Sequence, residues 1–177
     1  MDLHDFSGGE MYFDEQLSER VSTLIEMASE AYAEGNAEIS LLKAYFLAPK
    51  SLSVLVAVYR FYYYQHRYDD ALDCADKAMT IVAEKLNMNI PWRKLDMTTL
   101  GYGLMTSMTL VRFYLLALKG AGYLNLRLNR IEEGVQMLEK VRELDTEDRL
   151  GTGYLLETVE SYQRRKAANF GKLTVVA

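Results

Sequence analysis

Residues 52–85 read LSVLVAVYRFYYYQHRYDDALDCADKAMTIVAEK, and this stretch decides the fold. Val54, Leu55, Val58, Tyr59 and Tyr62 recur at spacings of three and four, which gathers them on one side of a helix running to about His66. Ser51 or Ser53 stands where an N-cap is needed. A second helix starts near Tyr68, with Asp69 and Asp70 in its first turn, where the helix dipole favours acids. Its buried face is Ala71, Ala75, Ala78, Ile81 and Val82. His66 falls in the short turn between them, so residues 52–85 form a helix–turn–helix unit.

The same period continues outward. Val21, Leu24, Ile25, Ala28 and Tyr32 share a face that Gly35 ends, because glycine takes up the positive φ needed after a last turn. Ile39, Leu42 and Phe46 form a second, shorter face that stops before Pro49. Residues 87–92, with Asn87, Asn89 and Pro91, read as a loop. Residues 100–128 are one long apolar stretch with little punctuation. Gly120 and Gly122 within it cost about 1 kcal/mol each against alanine, and close helix–helix approach explains them better than a break. Asn129 marks a turn, followed by an amphipathic helix through Ile131, Val135, Leu138, Val141 and Leu144. A last helix, from Thr152 to about Lys166, carries Leu155, Val159 and Tyr162, and residues 169–177 are a frayed or docked tail.

Composition agrees with an all-α chain. Of 177 residues 50% are apolar, too many for intrinsic disorder, and two prolines leave few breakers for a sandwich of short strands. The length suits one domain over residues 13–168, preceded by a flexible acidic segment 1–12. That opening segment is too acidic for a secretory or mitochondrial targeting peptide. The lone cysteine, Cys74, cannot form an internal disulfide, and no Cys/His cluster has metal-ligand spacing. A cytoplasmic protein without metal or cofactor is the expectation. Residues 100–118 approach the length of a membrane span, but Arg112 lies among them and a mid-bilayer arginine costs at least about 2.5 kcal/mol. A buried helix fits better.

Charge is uneven. The net charge is −5, yet residues 1–38 alone carry −9, and the remainder carries +4. Residues 39–68 hold Lys43, Lys50, Arg60 and Arg67 with no acid, and residues 112–131 hold Arg112, Lys119, Arg127 and Arg130 with none. Solvated helix faces account for such stretches, and so does a basic binding surface onto which the acidic N-terminal segment folds.

The unit 52–85 resembles a tetratricopeptide repeat, a helical hairpin of about 34 residues. Leu55, Val58, Tyr62, Ala71 and Ala78 stand at its large, leucine, tyrosine and two alanine positions, and Tyr68-Asp69-Asp70-Ala71 fits the start of its second helix. Tyr59 departs, standing where a small residue is usual, which implies that the two helices are pushed apart. A degenerate unit over 18–51 ends in register, with Ala44 and Pro49 at the final alanine and proline positions. A third, over 115–148, aligns Leu118, Ala121, Gly122, Gly134, Leu138 and Val141, with Thr146 in place of proline. Between the second and third lies an insertion, 86–114, containing Pro91 and Trp92. The resemblance implies a right-handed superhelix of antiparallel helix pairs, an α-solenoid closed by a C-terminal capping helix at 152–166.

The resemblance further implies a concave groove lined by the first helix of each unit. Those positions hold Ile25 and Tyr32, then Val56, Arg60, Tyr63 and Tyr64, then Lys119, Tyr123, Leu126 and Arg127. Aromatic and basic residues interleaved in this way suit a peptide with acidic and apolar groups. The run from Tyr59 to Tyr64 holds five aromatics, which cannot all face one core when successive residues point about 100° apart. The carboxylate-clamp subfamily, which grips chaperone C-termini, needs lysine, asparagine and arginine at positions that here hold Ile25, Ser29, Ala57, Leu116 and Gly120, so that ligand is not expected.

Enzyme signatures are missing. There is no phosphate loop, Gly101-Tyr102-Gly103 lacks the third glycine of a dinucleotide fingerprint, and neither His4 nor His66 has a spaced catalytic partner. Net acidity disfavours nucleic acid. The expected function is a non-catalytic adaptor or chaperone that binds another protein or peptide. Two alternatives stay open: a structural subunit of a homodimer or larger complex burying residues 100–118, and a chaperone similar to those of type III secretion.

Overall fold

The computed structural model describes residues 15–32 and 36–173, the last seven of these as backbone only. All regular structure in them is helical: α1 (Glu19–Glu30), α2 (Ala37–Leu47), α3 (Leu52–Tyr64), α4 (Tyr68–Lys85), α5 (Met97–Thr106), α6 (Met108–Arg127), α7 (Ile131–Leu144) and α8 (Thr152–Leu173), with one 3-10 turn at Trp92–Lys94. The helices pack chiefly on their sequence neighbours, except that α4 packs on α6 and bypasses α5, which packs mainly on α6. Short turns join α3 to α4 and α6 to α7, so each pair is an antiparallel hairpin.

The two hairpins turn in the same way. At the end of α3, His66 takes φ 59°, its N–H donates to the Tyr63 carbonyl at 3.0 Å, and the Arg67 N–H donates to Tyr62 at 2.9 Å. At the end of α6, Asn129 takes φ 60°, its N–H reaches Leu126 at 3.1 Å, and the Arg130 N–H reaches Asn125 at 2.8 Å. This is a Schellman closure, which satisfies the last carbonyls of a helix. Asn87 closes α4 with the same pair of bonds, to Glu84 and Ala83, at φ 55°. Asparagine tolerates the left-handed region; histidine does so less readily, at a modest cost in strain.

Small residues set the helix spacing. Ala37, Ala44, Ala71, Ala75 and Ala78 are buried on α2 and α4, and Gly122 faces Gly134 between α6 and α7. Around them lie Leu52, Leu55, Phe113, Leu116, Leu118, Leu124 and Leu138, all fully buried. Ser51 caps α3 by accepting from the Val54 N–H at 3.2 Å. The Glu15 carboxylate adds to that cap, accepting from Ser51 Oγ at 2.7 Å and from the Ser53 N–H at 3.0 Å.

Several expectations change. Residues 100–128 are not one helix: Ser107 interrupts them in extended backbone and caps α6, accepting from the Leu110 N–H. The third unit's first helix therefore starts at Met108, seven residues before the expected boundary at 115. Within the insertion lies α5, capped by Asp96 on the Thr99 N–H at 2.7 Å. Ile39, Leu42 and Phe46 share a face, but it points outward, because smaller Ala37 and Ala44 with Leu41 let α2 lie closer on its neighbours. The last helix continues through residues 167–173, which absorbs part of the expected tail. The Gly35 stop, the segment 1–12 and the end of the tail lie outside the described residues.

Candidate functional site

Four of the groove residues come together. Tyr63 of α3 meets Tyr64 at 5.5 Å and Tyr123 of α6 at 6.2 Å between ring centroids. Arg127, one turn beyond Tyr123, donates to its hydroxyl at 3.0 Å. Tyr59, Tyr68 and His66 join this cluster, although the groove positions did not include them. Tyr59 stacks on Tyr63 at 6.3 Å, Tyr68 lies 6.0 Å from Tyr63, and the Arg127 guanidinium sits 4.6 Å over the Tyr68 ring while bonding its hydroxyl. His66 Nδ1 is 2.8 Å from the same hydroxyl. Tyr68 was legible as the start of α4, but nothing in its repeat position marked it as facing the groove.

The other positions do not join. Val56 is buried, and Ile25 is half-buried against the core. Tyr32 is exposed and packs edge-on against Phe61 at 6.1 Å. Arg60 is half-buried on α3. Leu126 faces α7, where it crowds Gly134. Lys119 is 6% exposed, and its ammonium donates to the Leu150 carbonyl at 2.6 Å, which ties α6 to the start of α8. It is a buried support and not a groove residue.

The expected basic field is largely spent inside the chain. Arg67 pairs with Glu38 at 2.6 Å and Asp70 at 2.7 Å, Arg130 with Asp69 at 2.7 Å, and Lys50 with Glu84 at 3.7 Å. The hydrogen bond to Tyr123 pushes Arg127 further above its usual range. An acidic partner would thus compete with internal contacts. The acids that answer these bases lie in other elements, which a count along the sequence does not reveal.

A different surface is open. Met27 of α1 with Ile39, Leu42, Phe46 and Leu47 of α2 line an apolar groove of about 950 Å³, and Phe46 is 84% exposed. Glu19, Arg20 and Lys43 rim it. A second exposed set lies on and after α5, with Met105 at 86%, Met108 at 73% and Tyr102 at 69%.

Cys74 shows no nucleophile's environment: burial and then the nearby Asp73 push its thiol up to about 12. No described helix is long and apolar enough to cross a membrane.

The chain is 48% identical over 162 residues to the "Uncharacterized 19.8 kDa protein in nifW 5'region" of Azotobacter chroococcum mcd 1, a match covering 92% of this chain and 90% of that protein. No family model and no solved structure matches.

Proposed function

The chain belongs to the family of that Azotobacter chroococcum protein, and we propose that it is a non-catalytic, tetratricopeptide-like α-solenoid that binds another protein in the cytoplasm. The repeat reading draws support from the matched turns at His66 and Asn129. They stand 63 positions apart, the length of one repeat of about 34 residues plus the insertion. The small residues Ala37, Ala71 and Gly134, each at the same place in its unit, are buried where the paired helices meet.

The observation that carries the binding function is the exposed apolar face of α1 and α2. Five large apolar side chains stand together in solvent at one end of the helical array. Contiguous exposed apolar surface of this kind marks an interaction site. The aromatic cluster around Tyr63 shares no lining residue with this groove, and its guanidinium–tyrosine contacts fix its shape. An amphipathic helix or an extended apolar segment suits the α1–α2 groove best. The experiment is a comparison of proteins retained by the wild-type chain and by an Ile39→Ser/Phe46→Ser variant. Loss of a partner at unchanged thermal stability supports the reading, and equal retention contradicts it.

A second reading, a homodimer or larger assembly, is favoured by Tyr102, Met105 and Met108, which project from the α5 region. Light scattering on the full chain separates the two, because a monomer at micromolar concentration rules out an obligate dimer.

A further inference from the structure

A cleft of about 500 Å³ opens where α4, α6 and α7 meet the connection that holds Pro91 and Trp92. It is separate from both the aromatic cluster and the α1–α2 face. Its walls include Asp76 of α4, Tyr114 of α6, Glu133 of α7 and the Trp92 ring.

Tyr114 is 4% exposed and lines the cleft, yet its hydroxyl has no hydrogen-bond partner among the described residues. The ring is buried while the hydroxyl opens on the cleft, where solvent or a ligand meets it. Burial, and then the charge of Asp76, push this phenol up to about 12, so it stays protonated. Asp76 makes no ion pair among the described residues. It keeps an exposed surface, yet desolvation of its carboxyl group, followed by the charges of Asp73 and Glu133, raises its proton affinity.

The chain already shows what these walls attract. The Arg93 guanidinium lies 4.2 Å over the Trp92 ring and bonds Glu133. A planar cation is thus held between an indole face and a carboxylate. Arg93 pairs with Glu133 and leaves Asp76 and Tyr114 without a side-chain partner among the described residues. An anion is repelled by Asp76, and a neutral apolar group would leave both polar groups unsatisfied.

We propose that this cleft binds an alkylammonium or guanidinium group, with the Asp76 carboxylate neutralising it and the Tyr114 oxygen accepting one of its N–H bonds. The volume fits one small molecule or one inserted side chain. A free polyamine and a lysine or arginine of a partner protein present the same chemistry. The site does not depend on the α1–α2 face and stands or falls apart from it.

Trp92 is the chain's single tryptophan, so its fluorescence reports on this cleft alone. The full chain is titrated with spermidine and, separately, with a short Gly-Lys-Gly-Arg peptide, each against sodium chloride of matched ionic strength. A saturable change in Trp92 emission beyond the salt control is expected. Asp76→Asn is expected to weaken it by at least about tenfold, as for a lost charge-assisted hydrogen bond, and Tyr114→Phe by about two- to tenfold. Saturation by spermidine supports a free amine, and saturation by the peptide alone supports a partner side chain. Absence of saturation with both probes, or wild-type affinity in Asp76→Asn, overturns the proposal. Asp76 is exposed, so its variant keeps the test decisive even where Tyr114→Phe unfolds.

Discussion

Gly122 and Gly134 lie against each other where α6 crosses α7: a Cβ placed on Gly134 would stand 2.8 Å from the Gly122 carbonyl oxygen and from the Leu126 side chain. Backbone cannot move aside as a flexible side chain can. Gly134→Ala is therefore expected to destabilise the fold by about 1–3 kcal/mol, despite alanine's better helix propensity. Gly101 in α5 has nothing within 4 Å of the same added atom, so Gly101→Ala is expected to be neutral or to stabilise by up to about 1 kcal/mol. Urea unfolding of the two variants checks the opposite signs.

Glu15 links the chain before α1 to the start of α3. Burial opposes its ionisation, but the hydrogen bonds from Ser53 and Ser51 outweigh this and hold the carboxyl below its usual range. A lowered folded value means that the contribution is fully present above the unfolded value, about 4.3, and is lost as pH falls toward the folded one. Glu15→Gln should cost about 1 kcal/mol at pH 7, with the difference from wild type shrinking below about pH 4. Urea midpoints measured from pH 7 to pH 3 test it, and a pH-independent difference would contradict the assignment.

Lys119 of α6 holds the Leu150 carbonyl, just before α8, from a buried position. Lys119→Ala leaves that carbonyl unmet and a cavity beside it, with an expected loss of about 1–3 kcal/mol. The opening should localise to the α7–α8 connection, so hydrogen exchange there should rise more than in α3 and α4. Equal rises throughout would show that the lysine does not pin α8.

Cys74 should react slowly with a thiol-specific disulfide reagent at pH 8 while the chain is folded, because a thiol pushed up to about 12 holds little thiolate there. In urea the reaction should run at the rate of a free cysteine. A fast native reaction would show an exposed, activated thiol.

Much of the fold was legible in residues 52–85. The alternation of apolar residues at three and four placed α3 and α4 to within two residues, and Ala71, Ala75, Ala78, Ile81 and Val82 are buried as their spacing implies. The Asn129 turn was legible too, because asparagine is one of few residues suited to positive φ. The break at Ser107 was not, since a serine inside an apolar run gives no sign that its hydroxyl will cap rather than point to solvent. The outward face of α2 was missed for a related reason. Its helix is apolar on all sides, so spacing alone could not choose between Leu41 and Ile39.

The candidate site was legible only in part. Periodicity in the repeat placed Tyr63, Tyr64, Tyr123 and Arg127 near one another, and the structure brings them together. It could not show that Lys119 would turn inward, or that Arg67 and Arg130 would find Glu38 and Asp69 far away in the chain. Long-range pairing is set by packing, and packing is invisible to local spacing. Trp92 and Pro91 drew attention to the insertion, but Asp76 and Tyr114 become neighbours only when α4 packs on α6.

The α1–α2 face is the centre of the functional account, and one comparison tests it most directly. Wild-type chain, Ile39→Ser/Phe46→Ser and Arg127→Glu are immobilised in equal amounts, each shown to be folded by thermal unfolding, and the proteins each retains from the native host are quantified. The expected result is a partner held by the wild type, lost from Ile39→Ser/Phe46→Ser, and still held by Arg127→Glu. Equal recovery of every retained protein on the Ile39→Ser/Phe46→Ser variant would contradict the assignment of this face as the binding surface.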